Sequence, residues 1–207
     1  MSMKKIIVVL SLILSIQGCS VHQNEAVVAH NNQENPYLRY IGGELISTHG
    51  LNILFKIPEE YSTKPIISYE ATFNNHPFYI SFAPLVAKNR LIGVHAEAVT
   101  DNSGYLNYSH LDEYIIDNIV FYRKDRCVHL DENTVNSMDD LRYMQKVGFD
   151  FESPVYLAQF FKHSDDGNKE YVLTVARHVD DCDKIDGLKE ALSAEIERII
   201  DIQLQSS

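Results

Sequence analysis

Chemistry in this chain would have to come from its histidines, acids and cysteines. Three places set a histidine two residues before a carboxylate: His95-Ala96-Glu97, His129-Leu130-Asp131 and His163-Ser164-Asp165. On a strand that spacing puts both groups on one face, and a sheet could add His178 to His95 and Glu97. None of the three forms H-E-x-x-H, and none supplies a third metal ligand. Surface histidines are the simpler expectation. The run Asp180-Asp181-Cys182-Asp183, with Asp186-Gly187 after it, has the look of a calcium loop. Counted from Asp181, however, position 5 of an EF-hand falls on Ile185, position 6 on Asp186 and position 12 on Leu192, so the oxygen ligands and the glycine are misplaced. A solvated acidic loop that caps the following helix is expected instead. Glu59-Glu60 and Asp139-Asp140 are adjacent pairs that would point apart on a strand, and they read as solvation. Ser103 lacks a G-x-S-x-G elbow, and Gly42-Gly43 is an isolated turn rather than a phosphate loop. The expectation is a chain with no catalytic residue, no metal and no cofactor.

The cysteines carry more. Lys4 and Lys5 precede an apolar run from Ile6 to Ile16, interrupted by Ser11 and Ser15, and Gly18-Cys19 follows. The run is too short for a helix across a hydrocarbon core of about 30 Å, so it is a removable leader by length and flanks. Ile16-Gln17-Gly18-Cys19 resembles the lipobox of bacterial lipoproteins. That resemblance implies cleavage before Cys19 and acylation of its sulfur. Ser20 stands where Asp would favour the inner membrane, so the implied address is the outer membrane. The expected orientation is toward the periplasm, although Ser20 itself does not distinguish this from the outer surface. The alternative is a secretory leader cut elsewhere, with Cys19 an ordinary thiol. With Cys19 assigned to palmitate and its companion chains, Cys127 and Cys182 remain as an even pair in an oxidising compartment, and a disulfide is expected.

Residues 1–18 are thus expected as signal peptide, 19–36 as lipidated terminus and polar tether, and 37–207 as one globular unit of sufficient length for a real core. Alternation predicts strands at Glu44 to Thr48, Asn52 to Ile57, Ile66 to Phe73, Phe78 to Leu85 and Leu91 to Val99, with a turn at Asn74-Asn75-His76-Pro77. Leu111, Tyr114, Ile115, Ile119 and Tyr122 recur at helical spacing and predict a helix opened by Ser109. The odd parity of Leu141, Tyr143, Val147, Phe149 and Phe151 predicts an extended segment. Val155 to His163 and Glu170 to Val179 make a hairpin around Asp165-Asp166-Gly167-Asn168. Leu188, Leu192, Ile196 and Ile199 predict a last helix from Asp186 to Leu204, capped by Asp183 or Asp186. The fold class is α+β: antiparallel sheet packed by helices. This element order resembles the PsbP-like α/β/α sandwich, a fold that includes the bacterial lipoprotein DcrB.

The formal charge is −11 over 207 residues, and losing the two leader lysines makes it more negative still. Such a surface repels nucleic acid and steers basic proteins toward it. Twelve tyrosines and no tryptophan suit protein contact. Tyr105, Tyr108, Asp165, Asp166, Asp180, Asp181 and Asp183 are the candidate contact residues, although core tyrosines and merely solubilising acids would give the same composition. The expected function is a non-catalytic, membrane-anchored binder of a basic protein, most specifically an immunity protein against a toxin acting in the periplasm. An envelope assembly factor, as the PsbP-like resemblance implies, and a hydrolase built from scattered residues are the alternatives.

Overall fold

The computed structural model describes residues 36–104, 106–184 and 187–204. The leader, Cys19 and the tether as far as Asn35 lie outside the described residues, as do Tyr105 and Asp186. The first three strands, β1 (Leu38–Ile41), β2 (Glu44–Ser47) and β3 (Ile53–Lys56), form a meander that turns at Gly42-Gly43, both at positive φ. After β4 (Ser62–Thr63) come β5 (Ile67–Phe73) and β6 (His76–Ala87), joined by Asn74-Asn75 with φ of 48° and 67°. Asparagine tolerates that left-handed geometry, which suits the twist of a two-residue hairpin. β7 (Arg90–Val99) follows, antiparallel to β6.

The predicted helix at 109–122 is a hairpin instead, β8 (Asp112–Ile116) and β9 (Ile119–Val128). Asp117-Asn118 turns it with φ of 48° and 65°, and its β-branched neighbours favour the pleated state. The segment at 141–151, predicted extended, begins in a helix. α1 (Glu132–Ser137) is capped by Asp131, whose Oδ1 accepts the Thr134 N–H, and α2 (Asp139–Lys146) buries Leu141 and Met144. β10 (Val155–His163) and β11 (Lys169–His178) form the long hairpin as predicted. The last helix, α3 (Leu188–Ile199), begins after Gly187 with no side-chain cap, and it stops short of its predicted end. Ile200 is extended, and β12 (Asp201–Leu204) returns to pair with β3.

The class is therefore α+β with antiparallel sheets, as expected. A small sheet in the order β1-β2-β3-β12 faces a large one in the order β4-β6-β7-β11-β10-β9-β8, with β5 also on β6. One core lies between the sheets and under α3: Leu38, Leu45 and Phe55 meet Val94, Leu173, Leu192 and Ile196. The second lies on the other face of the large sheet, where Phe78, Val172 and Phe161 meet Val135, Leu141 and Met144 of α1 and α2. The expected bridge between Cys127 and Cys182 is present. It ties β9 to the turn just before α3. Among the described residues no helix is long and apolar enough to cross a membrane.

Candidate functional site

Two polar groupings emerge, one sealed and one open. The sealed one lies on the α1/α2 face of the large sheet. His95 and Glu97, two apart on β7, do share a face, and Glu170 of β11 stands opposite Glu97 in register. All three are fully buried. Drawn as two carboxylates, they leave both Glu97 oxygens and Glu170 Oε1 without a donor. A proton held on Glu97 and given to Glu170 pairs two of these three oxygens, while the Tyr108 hydroxyl donates to Glu170 Oε2 at 2.6 Å. Burial raises both carboxyls: Glu97 well above its ordinary range, reinforced by the charge of Glu170, and Glu170 to about 7. Burial lowers His95 to about 3, so its ring is neutral, stacked on Phe82 at 4.3 Å. Asp140 lies 3.7 Å from that ring, and burial lifts its carboxyl to about 6. At that distance, with a neutral imidazole, the two are neither hydrogen-bonded nor an ion pair.

Several expectations change here. Asp140 is a buried residue of α2 rather than a solvating one, because the helix turns it inward beside Leu141. His95 is a core residue, and so is His49, whose Nε2–H donates to the Glu170 carbonyl oxygen at 2.7 Å. His178 does not join His95 and Glu97. It lies six residues along β11 from Val172, the partner of His95, which is about 20 Å. There its ring stacks on Phe149. Glu170 was missed in the sequence, although it shares strand parity with Val172, Thr174 and Ala176 and so had to face the same core. Among the described residues no three His, Cys, Asp or Glu side chains converge as metal ligands. The sealed group is buried away from solvent on the face covered by α1 and α2.

The open grouping is a groove of about 810 Å³ between α3 and the β8–β9 hairpin. Strand alternation puts Arg123 and Asp125 of β9 on its floor. Arg123 donates through Nε and Nη2 to the two Asp125 oxygens at 2.9 and 2.8 Å, and through Nη1 to Ser193 Oγ of α3 at 2.7 Å. Its guanidinium lies over Tyr114, 4.9 Å from the ring centre. Tyr156 also donates to Asp125, at 3.0 Å. Burial, then the Asp125 charge, pushes that phenol up to about 12. Arg123, Asp125, Ser193 and Tyr156 are therefore held by neighbours, while the buried Tyr114 hydroxyl on the same floor has no hydrogen-bond partner among the described residues. Around it stand the exposed carboxylates of Asp112, Glu113, Glu190 and Glu197.

The residues singled out for contact are dispersed. Tyr108 is buried, stacked on Phe161, and its hydroxyl serves Glu170, so it is no surface residue. Tyr105 is outside the described residues. Asp165 and Asp166 are exposed in the β10–β11 turn, where Asp166 accepts from Ser164 and Asn168 and is thereby lowered to about 2. Asp180, Asp181 and Asp183 lie at the opposite end of that hairpin, about 30 Å away along nine-residue strands. The two acidic loops are not one surface. The second, through the Cys127–Cys182 bridge, is held near the β9 end of the groove. Compared with protein-family models, with curated proteins and with solved structures, the chain matches none.

Proposed function

We propose that this chain is an envelope lipoprotein, acylated at Cys19 and outer-membrane anchored, whose folded part binds another protein without performing chemistry. Within that class the reading is an immunity protein that neutralises an incoming toxin acting in the periplasm. The supporting observation is the groove: Arg123, Asp125, Ser193 and Tyr156 hold one another on its floor, and its rim is acidic and exposed. Such a surface recruits a basic protein and holds it by charge. An envelope assembly factor of PsbP-like type is the second reading, supported by helices on both faces of a large antiparallel sheet.

The test is affinity capture from membranes with the native chain and a Cys19→Ser control, combined with palmitate labelling. A stoichiometric basic partner, and label on the native chain only, are expected. An unlabelled native chain sinks the anchor, and recovery of no protein partner sinks binding. Co-expression separates the two readings: protection against one periplasmic toxin marks immunity, and an envelope defect on deletion without such protection marks assembly.

A further inference from the structure

The open flank of β8 has a feature that its partner β9 lacks. Asp117-Asn118 is a two-residue turn, so Ile116 and Ile119 close the hairpin as a hydrogen-bonded pair. Alternation then directs the backbone groups of Tyr114 and Asp112 toward β9, and those of Glu113 and Ile115 outward. β8 is the last strand of the large sheet, and among the described residues no strand lies beyond it. Protein edges are usually guarded by lysine, proline or a bulge. This one displays Ile115, 65% exposed, beside its cross-strand partner Val120, 42% exposed.

We propose that the outer edge of β8 is a docking site for an extended, basic segment of a partner protein, which joins the large sheet as an added strand. This deepens the protein-binding reading and rests on it. The occupant follows from charge. Asp112 and Glu113 on β8 and Glu190 and Glu197 on α3 line the groove beside the edge. Arg123 and Lys189 are already engaged with Asp125. Lysine or arginine at alternate positions of the incoming strand meets the groove carboxylates, and an apolar residue between them covers Ile115. A second copy of this chain brings the same acids and a charge of −11, so it is disfavoured as the occupant.

The full chain is titrated with a peptide of four Lys-Val repeats and, separately, four Glu-Val repeats, with amide exchange read at Glu113 and Ile115. The lysine peptide is expected to bind at least tenfold more tightly, to slow exchange at both amides, and to weaken several-fold between low and high salt. Ile115→Pro removes the outward N–H and the exposed isoleucine side chain together, changes that an edge strand tolerates. It is expected to weaken binding tenfold or more. The surface pair Glu190→Gln with Glu197→Gln, which leaves the core untouched, is expected to weaken it at least threefold. Unchanged affinity in both variants, or a bound peptide with Glu113 and Ile115 still exchanging freely, overturns the proposal. So does protection of those amides that appears with rising concentration of the chain alone, which marks a second copy. An Ile115→Pro chain that captures the same envelope protein as the native one overturns the edge assignment and leaves the protein-binding reading intact.

Discussion

Glu97→Gln isolates the shared proton in the sealed cluster. Glu97 and Glu170 face each other without solvent, and the native state keeps a proton on Glu97 far above the pH at which an unfolded glutamate loses it. In that window Glu97 alone makes the native chain bind one proton more than the unfolded chain, so stability falls as pH rises. Glu170, raised to about 7, and Asp140, raised to about 6, add slopes of the same sign in both proteins. The loss begins near the unfolded value of about 4.5 and amounts to about 1.4 kcal/mol per pH unit until Glu97 itself ionises. Glutamine donates to Glu170 at any pH and has no such titration. The two proteins are therefore expected to be about equally stable near pH 4.5, with the variant ahead by roughly 3 kcal/mol at pH 7. His95 and His49, lowered to about 3 and about 4, act with the opposite sign: their stabilisation is lost as pH falls below 6.5. That acid limb is common to both proteins and cancels in the comparison. Urea unfolding followed by far-ultraviolet dichroism at pH 5, 6, 7 and 8 gives the difference directly. Parallel stability curves for variant and native chain would refute the shared proton.

Tyr108→Phe removes the donor to Glu170 Oε2 and is expected to cost about 1–3 kcal/mol, more at pH 8 than at pH 5, in the same unfolding series. Cys182→Ser opens a loop with a sequence separation of 55, and urea midpoints should report a loss of about 4 kcal/mol under oxidising conditions and none under reducing ones. Arg123→Leu leaves Asp125 without its forked partner in a mostly buried site; a loss of about 3–5 kcal/mol is expected by thermal or urea melting. Gly167→Ala puts a Cβ at φ +65° and 3.0 Å from the Leu106 carbonyl oxygen, so a fall in melting temperature and faster exchange around residues 104–108 are expected.

The β10–β11 hairpin was legible because period-two alternation and a run of turn formers coincide there. The β8–β9 hairpin was not, since its apolar residues happen to fall at spacings of three and four. The residues that decide it are Asp117 and Asn118, which accept the left-handed turn. In α2 the misleading signal was parity: Leu141 and Tyr143 suit a strand, but Leu141 and Met144 lie on one helical face, and Gly148 at φ +102° follows its end. β12 was hidden because Ile199, Ile200 and Ile202 continue the apolar content of α3 beyond its last turn. The groove could not be read from the chain, since it joins residues near 112–125 with residues near 189–197, and only tertiary packing sets those beside one another.

The final strand, β12, has a consequence for when this protein can become itself. The meander begun at Leu38 waits for residues 201–204 to complete its row, and its apolar side waits for Leu192 and Ile196. A chain emerging amino end first must therefore leave that sheet incomplete until residues 201–204 are free. Removing residues 201–204, or tethering them during synthesis, would leave the β3 flank of that meander open.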